Sequence, residues 1–134
     1  MRTCFFSVSL KNRPNLQIEI EKIKYLLDKY SFNINVFVDE YVFSKGEEKK
    51  MMNTACIDIT NADLLIAEVS EKAIGVGIEV GFAVALNKPV IYLRQDSSEY
   101  SSTIGGIVEN HIIYKNVDDL EIKLDLILKE LYVK

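Results

Sequence analysis

Tryptophan is absent, histidine occurs once, and cysteine and proline occur twice each among 134 residues. Each scarcity removes a class of function. A single histidine, His111, cannot build a His-rich metal site or, unaided, a Ser-His-Asp triad. Cys4 and Cys56 lack metal-like spacing, and two thiols make no disulfide framework. Basic residues number 16 against 20 acidic, and the longest basic run is the pair Lys49-Lys50. A surface for a nucleic-acid polymer is therefore not expected, while a single phosphate stays within reach. No apolar run approaches the roughly 20 residues of a membrane span. The first ten residues lack a small-residue cleavage site. A cytoplasmic protein with no membrane partner is the expectation. What is present is the profile of an ordinary globule, 49% hydrophobic and 27% charged, which excludes disorder for most of the chain. The length suits one domain over residues 1–134, large enough for a core without disulfide or metal.

Periodicity supplies the elements. Thr3 to Leu10, with Phe5, Phe6 and Val8, reads as a strand. Leu16, Ile20, Ile23, Leu27 and Tyr30 recur at steps of four and three, one face of a helix. Ile34 to Val38 predicts a second strand, and Met51 to Thr60 a helix with a start near Gly46-Glu47-Glu48. Asp63 to Val69 is nearly all apolar, the mark of a central parallel strand buried on both faces. Ser70 to Gly77 reads as a glycine turn, and Ile78 to Leu86 as a helix. Pro89 to Leu93 is another buried strand, Gln95 to Gly106 a Ser/Gly-rich loop, and His111 to Tyr114 a short last strand. Leu120, Leu124, Ile127 and Leu131 form the apolar face of a closing helix. Such alternation predicts an α/β fold, a doubly wound parallel sheet. Ligands in these sheets bind beyond the carboxyl ends of the strands, where strand order reverses. The loops after the first and third strands are the expected place.

The segment Ala67-Glu68-Val69-Ser70 through Gly75-Val76-Gly77-Ile78-Glu79-Val80-Gly81 carries most chemical information. Gly75 and Gly77 would let backbone approach a ligand closely. Glu79 would fall in or near the first helical turn, where the helix dipole favours its ionised form. An ionised carboxylate in such a crevice can attack an anomeric carbon and form a covalent glycosyl intermediate. The bland alternative is a Glu that merely complements the dipole. The glycine spacing is not a dinucleotide fingerprint, because its third glycine would fall at Val80; no P-loop occurs either.

Asn61-Ala62-Asp63-Leu64-Leu65-Ile66-Ala67-Glu68-Val69, the stretch Gly75 to Ala83, and Asn87-Lys88-Pro89-Val90-Ile91 together resemble the nucleoside 2-deoxyribosyltransferase superfamily, nearest its 2′-deoxynucleoside 5′-monophosphate N-hydrolase branch. The resemblance is specific over about residues 61–93 and weaker over the rest. It implies a flavodoxin-like, Rossmann-like five-stranded parallel sheet with helices on both faces, a homodimer with composite sites, and cleavage of the bond between base and deoxyribose. The substrate implied is a small nucleoside or nucleotide. Glu79 matches the nucleophile. Ser9 and Lys11 match residues that hold the phosphate, and Ser101 matches a serine lent by the partner subunit, with Ser102 equally close. Loop amides at Gly75 and Gly77 would assist. No cofactor or metal is implied, since a carboxylate and an acid suffice.

The chain departs from this pattern in three places. Ala55 stands where the family has an aspartate; Asp58, three residues on, shares roughly the same helix face and is either a replacement orienter and proton donor or solvated surface. Ala73 replaces a phosphate-contacting serine, and Phe5 replaces a tyrosine. A nucleotide-binding module without catalysis is the rival reading. Among weaker candidates, Glu68 would tune Glu79 by like-charge repulsion or is a solvated strand end. Asp39, Glu40 and Tyr41 line a base pocket or form a polar loop. Asp63 orders the start of its strand, and His111 is structural.

Overall fold

The computed structural model describes residues 1–133. Five strands, β1 (Arg2–Ser7), β2 (Phe32–Val36), β3 (Leu64–Glu68), β4 (Val90–Gln95) and β5 (Asn110–Tyr114), form one sheet in the order β2-β1-β3-β4-β5. Every pairing is parallel. The helices are α1 (Gln17–Lys29), α2 (Phe37–Glu40), α3 (Glu48–Asn61), α4 (Ile74–Ala85), α5 (Ser102–Ile107) and α6 (Val117–Tyr132). The expected doubly wound α/β sheet is therefore the fold, with helices on both faces.

Strand alternation decides what each layer receives. Cys4, Phe6 and Val8 of the first strand and its exit, with Leu64 and Ile66 of β3, join the core beneath α1 and α6. Phe5, Leu65, Ala67 and Val69 join the core shared with α3, α4 and α5. Both faces of β3 are covered, which is why its sequence is an unbroken apolar run. In α1, the buried Ile20, Ile23 and Leu27 are the residues picked out by the helical period.

Several boundaries differ from the expectation, and two of them shape the site. β1 ends at Ser7 rather than Leu10, so Val8 to Leu10 belong to the exit loop. β2 ends at Val36, and Phe37–Glu40 turns into the short α2. The segment containing Gly75 and Gly77 is not a turn. α4 begins at Ile74, capped by Ala73 in extended backbone (φ −146°, ψ 135°), and contains both glycines. Glycine costs about 1 kcal/mol in a helix interior. Burial of Val76, Val80 and Ala83, spaced four and three apart, offsets that cost. Glu79 consequently sits in the second turn, and no acidic residue occupies the first. Asn87, in the left-handed region at φ 59°, follows the end of α4. Within the segment read as an irregular loop, α5 makes one and a half turns.

Ile66 is fully buried on the central strand, so its truncation removes core packing and leaves a cavity. Ile66→Ala is expected to lower unfolding free energy by about 2–5 kcal/mol, measured by urea denaturation.

Candidate active site

The chain leaves β1 toward β2 on one side and enters β3 on the other, so strand order reverses between β1 and β3. Their carboxyl ends flank a crevice, the place where such sheets receive ligands. A cleft of about 220 Å³ opens there. Ser9 and Leu10 come from the β1 exit, Phe37 and Val38 from α2, Met51 and Met52 from α3, and Gly75 and Glu79 from α4. Glu79 is its single charged lining residue. An adjoining apolar hollow of about 230 Å³ shares Leu10, Phe37, Val38 and Met51 and adds Tyr41, Val42 and Phe43. Aromatic rings lead from the core out to it: Phe5–Phe37 centroids lie 5.5 Å apart, Phe37–Tyr41 5.1 Å and Tyr41–Phe43 5.7 Å.

Glu79 is largely removed from water. Ser7 Oγ donates to its Oε1 at 2.5 Å. Burial pushes the carboxyl up to about 7, and the Ser7 bond opposes that rise only in part. The expectation of a dipole-stabilised, readily ionised first-turn glutamate is thus corrected: the helix starts a turn earlier, and desolvation dominates. No motif in the sequence marks Ser7. The alternation that places Phe5 inward also places Ser7 inward, but its partner lies 72 residues away.

The remaining predicted residues divide. Ser9 and Gly75 line the cleft with Glu79. Ser9 Oγ accepts from the Asn12 amide at 3.0 Å, shaping the exit loop. Lys11 is exposed and outside the lining. Gly77 faces a different hollow, of about 380 Å³, together with Lys72, Ser101, Ser102 and Thr103. A Cβ on Gly75 or Gly77 would meet nothing within 4 Å, so neither glycine serves a close approach within this chain. Ser101 is buried there; its amide donates to the Tyr92 hydroxyl at 3.0 Å. Ala73 borders both hollows. Asp58 is not brought to Glu79's cleft. Its Oδ2 accepts from Asn35 Nδ2 at 3.1 Å and from Tyr41 OH at 2.9 Å, and that hydrogen bond holds the tyrosine hydroxyl above its ordinary value. Ala55, at the position of the expected aspartate, is buried in the core.

Glu68 and Glu79 do not share a site. Glu68 points to the opposite sheet face, where Tyr114 OH and the Ser70 amide and hydroxyl all donate to it. It is neither solvated nor a tuner of Glu79: it is 1% exposed and braces the β3 exit. Asp39 likewise serves a brace, a forked ion pair with Arg13 at 2.9 to 3.1 Å that ties the β1 exit to α2. That pairing joins residues 26 apart and left no local signal. Asp63 accepts from the Thr3 amide at 2.9 Å, ordering the strand start as expected. His111 contacts the Val108 carbonyl at 2.6 Å and stacks on Tyr92, a structural position.

With this geometry in place, comparison with known proteins adds a lineage. The profile of the family described as nucleoside 2-deoxyribosyltransferase matches residues 9–124. The chain belongs to the nucleoside 2-deoxyribosyltransferase family. A protein of Thermofilum pendens (strain DSM 2475 / Hrk 5), whose name marks it as a candidate 2′-deoxynucleoside 5′-phosphate N-hydrolase 1, is 40% identical over 75 residues, 52% of each chain. The match thus spans about half the length of that relative. Among solved structures, the CMP N-glycosidase of Clostridium botulinum is similar in fold, with TM-score 0.70 and 22% identity over 92% of this chain and 99% of that one. A 2-deoxyribosyltransferase from Bacillus psychrosaccharolyticus superposes with TM-score 0.67 and 15% identity over 89% of this chain and 90% of that one. The likeness to these two structures establishes the shared fold. No helix among the described residues is long and apolar enough to cross a membrane.

The raised pKa of Glu79 has a thermodynamic consequence. From an ordinary value of 4.5 it moves to about 7 on folding. Between those values the unfolded chain has lost a proton that the folded chain keeps, so stability falls as pH rises through the window and levels off above it. Glu79→Gln is expected to match the wild type near pH 4 and to be roughly 3 kcal/mol more stable at pH 8. Urea denaturation at the two pH values measures this.

Proposed function

We propose that this protein cleaves the N-glycosidic bond of a 2′-deoxynucleoside or its 5′-monophosphate, by hydrolysis or deoxyribosyl transfer, with Glu79 as nucleophile. One observation carries the reading: a carboxylate with an unengaged oxygen is the single charged group lining a cleft at the strand-order reversal. Glu79 Oε2 attacks C1′, the base leaves with the bonding pair, and water or a second base then takes the sugar from the ester. The apolar wall of Phe37, Met51 and the adjoining Tyr41 and Phe43 suits a planar base. Ser9 and Lys11 at the β1 exit are assigned to the 5′-phosphate. Lysine there supplies charge without the bidentate fit of arginine. A carboxylate and water suffice for this displacement, so the reading calls for no cofactor.

A second copy of the chain completes the site in this reading. Ser101 lies outside the Glu79 cleft of its own chain. On α4, beside that cleft, Ile74 is 85% exposed and Ile78 52%. A homodimer joined on this face would cover them and bring the partner's serine to the phosphate. Residence in the cytoplasm accords with a small-molecule substrate.

Base release followed by chromatography tests the proposal, with deoxynucleosides, their monophosphates and CMP as substrates, with and without an acceptor base. Glu79→Gln is expected to lower kcat by on the order of 10³-fold or more. Lys11→Ala is expected to raise KM for monophosphates about tenfold more than for nucleosides. Folded wild-type protein that releases no base would favour the rival reading, a nucleotide-binding module, to which the apolar Ala55 already lends weight.

A further inference from the structure

We propose that Ser7 is the positioning residue for the Glu79 carboxylate, its hydroxyl fixing Oε1 so that Oε2 alone is presented to the sugar. This deepens the reading above and rests on Glu79 being the nucleophile. Two residues apart on β1, Phe5 and Ser7 point to the same sheet face. Phe5 has no hydroxyl where the family resemblance implies one, and it is wholly buried against Phe37. Ser7 provides a hydroxyl one pleat further along, at the carboxyl end of the strand where the cleft begins.

The geometry leaves Ser7 little other employment. It is 1% exposed, so its hydroxyl needs a partner inside the protein. Oε1 of Glu79, at 2.5 Å, is that partner. Oε2 of Glu79 takes no hydrogen bond among the described residues, yet it is not one of the sealed orphan atoms, so it keeps access to the cleft. The residues that line the cleft with the carboxylate, from the β1 exit, α2, α3 and the start of α4, carry no charge. Burial raises its pKa and so disfavours the anion, and the Ser7 bond is the one influence pulling that pKa down. An O–H donor favours the charged carboxylate over the acid. It also confines a side chain that could otherwise turn among several rotamers.

The bond survives the whole reaction. As Oε2–C1′ forms, C1′–N breaks and its electron pair leaves with the base, which takes a proton from solvent. Oε1 becomes the ester carbonyl and still accepts from Ser7. Water then adds to C1′ and yields a proton to solvent, while Oε2 departs with its pair and the carboxylate is restored. Ser7 neither gains nor loses a proton, so it positions and does not react.

Carbon-detected NMR of glutamate-labelled protein, with the Glu79 signal identified by its loss in Glu79→Gln, reads the anchor directly. Ser7→Ala is expected to raise the Glu79 midpoint by about one pH unit. Its base release should fall about tenfold at pH 6 and far less at pH 9, a shift of the acid limb that a packing defect would not produce. Ser7→Thr, which keeps the hydroxyl, is expected to restore both. If its extra methyl unfolds the chain, Ser7→Cys, with a weaker donor, should give an intermediate midpoint. An unmoved midpoint in Ser7→Ala overturns the proposal, and so does an equal shift in the alanine variant and the folded conservative one. Wild-type protein that releases no base overturns the nucleophile reading instead, and the NMR midpoints still decide whether Ser7 anchors the carboxylate.

Discussion

Ser7 and Glu79 meet because β1 and β3 are hydrogen-bonded neighbours whose connections depart in opposite directions. The register pairs Ser7 with Ala67, the residue before the last of β3. The β3 exit then needs only residues 69–73 to rise over the strand ends and start α4. From that start, six residues carry the helix to Glu79, above the end of β1. Every feature of the cleft follows from this placement. The β1 exit forms one wall, α2 and α3 another, and α4 supplies the carboxylate. The β3 exit is itself held from below by the bonds between Glu68, Ser70 and Tyr114, and from the side by the Gln95 amide donating to Ser70 Oγ at 2.8 Å.

Two glutamates on neighbouring elements, Glu68 buried and Glu79 half-buried, show how donors decide a carboxylate's character. Glu68 receives three hydrogen bonds, from one amide and two hydroxyls. Those donors counter the burial that pushes its pKa up. Its oxygens are all engaged, so it serves the fold. Glu79 receives one hydrogen bond and faces a cavity. It is held enough to have a direction and left free enough to meet a ligand. The sheet separates the two, so neither influences the other through a shared cleft.

How much of this could be read from the chain depended on the range of the interaction. Unbroken apolar runs gave β3 and β4, because burial on both faces writes a local pattern. The step of four and three gave α1 and α6 for the same reason. The glycines at 75 and 77 pointed the wrong way: their preference for turns is a local tendency, and burial of Val76, Val80 and Ala83 against the sheet overrode it. Glu79 was legible as a site candidate, but its environment was not, since the dipole argument depended on where the helix begins. Ser7 with Glu79 and Arg13 with Asp39 were invisible as pairs, being 72 and 26 residues apart. Helical spacing leaves Asp58 open between a replacement for the family aspartate and solvated surface. Its carboxylate is in fact engaged by Asn35 and Tyr41, at the edge of the sheet where β2 lies.

The apolar setting of Glu79 looks like a disadvantage for a nucleophile, since it keeps part of the population protonated near neutral pH. Under the proposed chemistry it is the reverse. Glycosidic cleavage develops positive charge at the anomeric centre. A carboxylate that has already lost its hydration attracts that charge more strongly than a solvated one, and no water shell must be stripped as the reaction proceeds. What desolvation takes from the resting anion returns as the sugar becomes cationic, provided the carboxylate keeps its aim. A single hydroxyl donor is enough for aim and too little to quench the charge. That balance separates the one bond to Glu79 from the three to Glu68, and under the proposed chemistry it would give the end of β1 a part beyond the phosphate binding proposed for its exit.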